Sequence, residues 1–150
     1  MNRRTFGRLA GIAVLAVGLN GCAGTGSMGS AASLYQQLGG MDSMSKLAGN
    51  MMTSSMKDPR LAGLLGKVNP TAASPKVADQ MCAALGGGCK APFTDQQVAA
   101  ASDRLTPEQK TAVSENFGSS LNSITSDPTL RSAVTKTLGS KMGGVLGALL

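Results

Sequence analysis

The chain has 150 residues, of which 15% are charged and 3% are aromatic, and it contains no histidine. The lack of histidine excludes Ser-His-Asp and Cys-His catalysis, imidazole zinc sites and histidine-ligated haem. The formal net charge is +6, but three arginines lie in the first 21 residues, which leaves +3 on the rest. That weak charge and the scarcity of aromatic rings argue against nucleic acid as a partner.

The first 22 residues have the pattern of a bacterial lipoprotein signal. Arg3 and Arg4 precede an apolar run over residues 9–19, which is shorter than the roughly 20 residues of a membrane-spanning helix. The run ends in Leu19-Asn20-Gly21-Cys22, which resembles a lipobox. We therefore expect a signal peptide over 1–21 and a lipid anchor on Cys22, with an ordinary signal peptide and an unmodified cysteine as the alternative.

The residues around this signal also bear on location. Ala23 follows the cysteine, where an aspartate would favour retention in the inner membrane. We therefore expect a lipid-anchored protein of the bacterial envelope, on the outer membrane and facing the periplasm. The segment Arg3-Arg4-Thr5-Phe6 resembles a twin-arginine signal, so the sequence leaves both export routes open.

A short tether is predicted between the anchor and the folded domain. Residues 23–32 are rich in Gly, Ser and Ala and carry no charge. Such a chain behaves as a flexible coil with a root-mean-square reach of roughly 17 Å. We assign 22–32 to a lipidated flexible tether and 33–150 to one folded domain.

The domain is predicted to be all-α. Apolar residues recur at intervals of three and four, which predicts helices over 33–38, 42–56, 59–68, 75–85, 95–104, 107–125 and 128–148. Four helix starts pair an N-cap side chain with a proline at the first helical position: Asp58-Pro59, Ser74-Pro75, Thr106-Pro107 and Asp127-Pro128. Capping boxes are predicted from Ser33, Thr94 and Thr106.

Three segments of the domain have a distinctive sequence: Ser33-Leu34-Tyr35-Gln36-Gln37-Leu38-Gly39-Gly40, Asp58-Pro59-Arg60-Leu61 and Cys82-Ala83-Ala84-Leu85-Gly86-Gly87. In this order they resemble the opening of the group I truncated haemoglobins, the segment between the second and third helices of that family, and the end of its distal helix. The resemblance runs from residue 33 to the C-terminus. It implies a truncated globin-like fold, a two-over-two helical sandwich, with haem as cofactor and oxygen as ligand.

The same resemblance implies a haem pocket, and the residues there depart from the family. The implied lining is Met51, Met52, Leu65, Ala73, Val77, Met81 and Ala100. Met51-Met52 stands where the family has a Phe-Tyr pair, and Ala100, or Ser102 in a shifted alignment, stands at the proximal histidine. Neither residue can ligate iron, so haem would need Met or a Cys thiolate instead. The residues predict weak haem binding or none.

The methionines, the cysteines and the basic residues each give a further prediction. Met41, Met44, Met51, Met52 and Met56 favour core packing, with contact to haem and a Cu(I) site as alternatives. Cys82 and Cys89 form either a disulfide or a pair in which Cys82 is a small buried hydrophobe. Lys46, Lys57, Arg60, Lys67 and Lys76 are expected on a solvated face.

The acidic residues form no pair suited to acid–base catalysis, so we expect no enzyme. If haem is absent, the alternative role is a globin scaffold that binds a hydrophobic ligand or an envelope protein.

Overall fold

The computed structural model describes residues 31–150. The predicted signal peptide over 1–21, the lipidation site Cys22 and the tether up to residue 30 lie outside the described residues. Seven helices and no strand occur in the described part: α1 Ala31–Gln37, α2 Gly40–Lys57, α3 Pro59–Leu65, α4 Pro70–Ala84, α5 Asp95–Asp103, α6 Pro107–Ile124 and α7 Pro128–Gly147. The prediction of an all-α domain is confirmed.

Most of the predicted helix starts are confirmed. The carboxylates of Asp58 and Asp127 accept backbone N–H bonds at the starts of α3 and α7, each followed by proline. Thr94 and Thr106 form complete capping boxes at α5 and α6. These side chains satisfy N–H groups that a first helical turn leaves without partners.

Three helix starts differ from the prediction, and the first of them is that of α2, which begins at Gly40 and not at residue 42. α4 begins at Pro70, capped by Asn69, whose side chain accepts from the Thr71 N–H at 2.9 Å. The predicted start at Ser74-Pro75 is wrong, and Pro75 lies inside the helix. Proline there lacks the N–H that would bond to the carbonyl of Thr71, and Thr71 is exposed, so water can bond that carbonyl instead.

At the other end of the domain, α1 begins at Ala31 and takes in the last two residues of the expected tether. Ser33 therefore lies within the helix and is not its N-cap. Alanine has the highest helix propensity, which favours the earlier start. α3 ends at Leu65, three residues before the predicted end.

Four helices close a ring of contacts around the core. α2 packs against α4 and α6, and α7 packs against α4 and α6 from the other side. α3 packs on α2 and α6, α1 packs on α2 and α7, and α5 packs on α7. The largest fully buried side chains come from α2, α3, α4, α6 and α7: Phe117, Met44, Leu47, Met51, Met52, Leu61, Met81, Leu121, Leu138, Met142 and Val77, together with Leu85 just after α4.

The contact between α5 and α7 depends on two glycines. A Cβ atom added to Gly144 would collide with the Val98 carbonyl oxygen and lie 2.7 Å from Val98 Cγ1. A Cβ atom on Gly147 would lie 2.8 Å from the Ala101 carbonyl oxygen. The two helices thus meet backbone to backbone, and only residues without side chains fit at these two positions.

Within residues 31–150, no helix has both the length and the apolar character needed to cross a membrane.

Candidate functional site

The residues implied as a haem pocket lie mostly in one buried cluster. Met51 and Met52 of α2 and Val77 and Met81 of α4 have no exposed surface. Leu65 is 2% exposed and Ala73 is 4% exposed, and both belong to the same core cluster. Six of the seven implied positions are therefore buried in the core of the domain.

The seventh position, Ala100, lies elsewhere. It is exposed on α5 and lines a surface depression of about 280 Å³ together with Phe93, Arg104 and Leu150. α5 turns Val98 and Ala101 inward, and Ala100 lies on a different side of the helix. Ala100 therefore lies outside the buried cluster that contains the other six residues.

Of the six buried residues, Leu65 lines one of the five depressions described on residues 31–150. Five depressions described on residues 31–150 have none of Met51, Met52, Val77 or Met81 in their walls. The depression that includes Leu65 holds about 10 Å³, which is room for about one water molecule. Methionine suits such a place because its unbranched chain adapts to irregular gaps.

The five methionines considered for copper do not form one accessible group. Met44, Met51 and Met52 are fully buried, Met56 is half-buried, and Met41 is 36% exposed. In the part of the chain that the structure describes, no cluster of three or more His, Cys, Asp or Glu side chains could hold a metal ion.

One polar atom of this core has no partner. The hydroxyl of Ser55 on α2 is buried and makes no hydrogen bond within the described residues. It lies one helical turn after Met51, on the same face of the helix. Sequence reasoning did not single out this residue, because a serine in a helix usually bonds to the preceding turn or to water.

Cys82 and Cys89 are joined by a disulfide, with their Cα atoms 5.7 Å apart. The disulfide, one of the two alternatives drawn from the sequence, is therefore confirmed, and Cys82 is in addition fully buried. A Cβ atom on Gly87 would lie 2.6 Å from Cys82 Sγ and 2.7 Å from the ring of Tyr35. The bridge and Tyr35 thus hold the loop after α4 against α1, and neither sulfur is a thiolate in this state.

Arg60 does not belong to the predicted solvated face. Its guanidinium donates to Asp58 at 2.8 Å and to Glu115 of α6 at 2.7 Å, and the side chain is 31% exposed. Asn116 also donates to the Asp58 carboxylate, at 3.1 Å. The side-chain hydrogen bond from Arg60 is the main cause that lowers the pKa of Asp58 from 3.8 to about 2.

This network joins α3 to α6 across the fold. The pKa of Arg60 is raised, first by its bond to Asp58 and then by its bond to Glu115. No local pattern in the sequence could have shown it, because Glu115 and Asn116 are 55 and 58 residues away from their partners. Its place between two helices indicates a structural role.

Comparison of the chain with family models, with curated proteins and with solved structures gives no match. The likeness to truncated haemoglobins therefore depends on the three sequence segments quoted above.

Proposed function

We propose that this protein is a lipid-anchored, non-enzymatic binding domain of the bacterial envelope, built on a globin-like scaffold whose core has no place for haem. The observation that carries the proposal is the complete burial of Met51, Met52, Val77 and Met81 in the core. Because these side chains are fully buried, a cofactor could reach them only if the core opened, and burial of this kind stabilises a domain by itself.

The possible iron ligands support the same proposal. The chain has no histidine, and Ala100 is exposed and apolar. Cys82 is bonded to Cys89, so thiolate ligation would first require reduction of the disulfide. The buried thioethers of Met51, Met52 and Met81 could ligate iron only if the core opened. These residues do not fit haem.

The helix contacts support a globin-like scaffold. In the proposed two-over-two arrangement, α2 and α4 form one layer and α6 and α7 form the other. The observed contacts of α2 with α6 and of α4 with α7 are those that such a stacking requires. The lipobox ending at Cys22 supports the anchor, since acyl chains on one cysteine give stable membrane attachment.

A hemin titration tests the cofactor part of the proposal. The chain from Ala23 onward should unfold cooperatively without any cofactor, and hemin at micromolar concentration should give no sharp Soret band. A sharp band with sub-micromolar affinity would overturn the proposal, and the variants Met52→Ala and Met81→Ala would then identify the ligand. A chain that becomes ordered only when hemin is added would overturn it as well.

A labelling experiment tests the anchor. Cells that express the full chain should incorporate a palmitate analogue and carry the protein in the membrane fraction. The variant Cys22→Ser should lose both the label and the membrane association. An equally labelled Cys22→Ser protein, or an unlabelled parent protein, would contradict lipidation at this residue.

A further inference from the structure

A surface depression of about 440 Å³ lies between the end of α4, the start of α5 and the middle of α7. Its walls are of two kinds. The apolar part is formed by the small side chains of Ala83, Ala84 and Ala91 and by the ring of Phe93. The polar part is formed by Gln80, Thr94, Asp95 and Lys141. Its volume is within the range of small-molecule sites.

Gln80 gives this depression a buried polar side chain. It is only 7% exposed, and its side-chain oxygen accepts the Phe93 N–H at 3.0 Å. Because that oxygen faces a donor, the other end of the amide is the NH₂ group. This group has no partner among the described residues, and it is the hydrogen-bond donor that Gln80 can offer to the depression.

Two further features favour an anion at the same place. Thr94 caps α5, so the positive end of this nine-residue helix borders the depression. Lys141 contributes an ammonium group whose contact with Asp95 is long, at 3.5 Å, and both side chains are well exposed. A charge-assisted bond is typically about 2.7–2.9 Å, so Lys141 remains able to turn its protons towards a ligand.

We propose that this depression binds a small organic anion with one carboxylate and a short apolar body. The carboxylate accepts from Lys141 Nζ and from the free NH₂ of Gln80. The apolar body lies against Ala83, Ala84 and Phe93. Asp95 competes with the ligand for Lys141 and so limits the affinity.

This proposal adds a ligand class to the binding role proposed above, and it rests on that role but uses different residues. The hemin titration reports on the buried core, and ligand binding reports on this surface depression. The two experiments can therefore fail independently of each other.

The test uses the mature chain in detergent, labelled with ¹³C at alanine methyl groups, and sodium butyrate as the probe. Saturable shifts are expected for Ala83, Ala84 and Ala91, with a midpoint in the millimolar range because the probe is small. Ala112 and Ala133 lie outside the depression and should not shift. Neutral butyramide should bind at least about tenfold more weakly, since it lacks the charge that strengthens the bond to Lys141.

Four variants sharpen the test. Lys141→Gln should weaken butyrate binding at least about tenfold, whereas Lys136→Gln, on the same helix and outside the depression, should have no effect. Gln80→Glu keeps an acceptor for the Phe93 N–H but replaces the donor, so it should abolish binding. Asp95→Asn should strengthen binding several-fold, because it removes the competing carboxylate.

The proposal is overturned by unmoved alanine methyls at saturating butyrate, by equal affinity for butyramide, or by an unchanged midpoint in Lys141→Gln. It is also overturned if Asp95→Asn weakens binding. Lys141 and Asp95 are well-exposed side chains, so their variants keep the test decisive even if Gln80→Glu fails to fold.

Discussion

The contact between α2 and α4 is packed with long side chains, whereas the contact between α5 and α7 is made by backbone atoms. Between α2 and α4, long flexible thioethers fill the interior, with Met51, Met52 and Met81 all fully buried. Between α5 and α7, side chains are missing at Gly144 and Gly147, and two backbones touch. The first contact can rearrange around a change of shape, whereas the second has no side chain that can move aside.

This difference predicts which substitutions each region tolerates. A methionine core accepts another side chain of similar volume, because such exchanges usually cost less than about 1.5 kcal/mol. A backbone contact rejects even one added methyl group, because a carbonyl oxygen cannot rotate away from it. The predictions below test this comparison.

The largest effect is expected from Gly144→Ala, because the new Cβ would collide with the Val98 carbonyl oxygen. We expect a loss of about 4 kcal/mol in unfolding free energy, above the usual range of about 1–3 kcal/mol for overpacking, since backbone must shift. Urea unfolding measures this loss.

The control is Gly143→Ala, whose Cβ would lie 3.5 Å from Leu105 Cδ1. It should be neutral or stabilising by about 0.5–1 kcal/mol. Equal stabilities of the two variants would contradict the backbone contact.

The next effect is expected from Met52→Ala, which leaves a cavity at a fully buried position. Removal of a buried methionine side chain should cost about 3 kcal/mol. Met52→Leu should cost less than about 1.5 kcal/mol, and Met41→Ala, at an exposed position, should stay within about 0.5 kcal/mol. Thermal or urea unfolding of the three variants ranks them. A Met52→Leu protein as unstable as Met52→Ala would show that the core depends on sulfur and not on volume.

A smaller effect is expected when the disulfide between Cys82 and Cys89 is removed. Cys89→Ser keeps the buried Cys82 in place, so it separates the bridge from the packing. The closed loop is short, and the loss should be about 2 kcal/mol. A reductant should lower the stability of the parent protein to the same value and leave the variant unchanged. A parent protein insensitive to reductant would contradict the assignment.

The smallest effect is expected from pH acting on Asp58. Its pKa is about 2 in the folded protein against 3.8 in a free carboxyl, so the unfolded chain binds the proton more readily. The contribution of the charged carboxylate is complete above pH 3.8 and disappears as the pH falls through about 2. Unfolding midpoints at pH 5, 3 and 2 should therefore fall more steeply for the parent protein than for Asp58→Asn. If the parent protein and Asp58→Asn lose stability equally as the pH falls, the bond between Arg60 and Asp58 does not stabilise the fold.

The sequence predicts the parts of this fold that depend on neighbouring residues. Caps such as Asp58, Thr94 and Thr106 act over three residues, so they can be read from the chain alone. The start of α4 was missed because Asn69-Pro70 and Ser74-Pro75 offer the same signal five residues apart. The earlier start is the one that puts Ala73 into the buried cluster.

The parts that depend on distant residues could not be predicted. The exposure of Ala100 follows from how α5 is rotated on α7, and that rotation is set by Gly144 and Gly147 more than 40 positions later. Gln80 gave no signal in the sequence either. Gln80 becomes a candidate donor only in the folded chain, where the loop after α4 brings the Phe93 N–H within hydrogen-bond distance of its side-chain oxygen.

The short length of α5 gives the glycine contact a wider consequence. A nine-residue helix is marginal in water by itself, so α5 stays helical because α7 supports it. The amide protons of α5 should therefore exchange with solvent only as fast as α5 separates from α7. Thr94 and Asp95, at the start of α5, form one wall of the proposed carboxylate site. A methyl group added at Gly144 would separate α5 from α7 and so disrupt this surface site, although Gly144 does not line it.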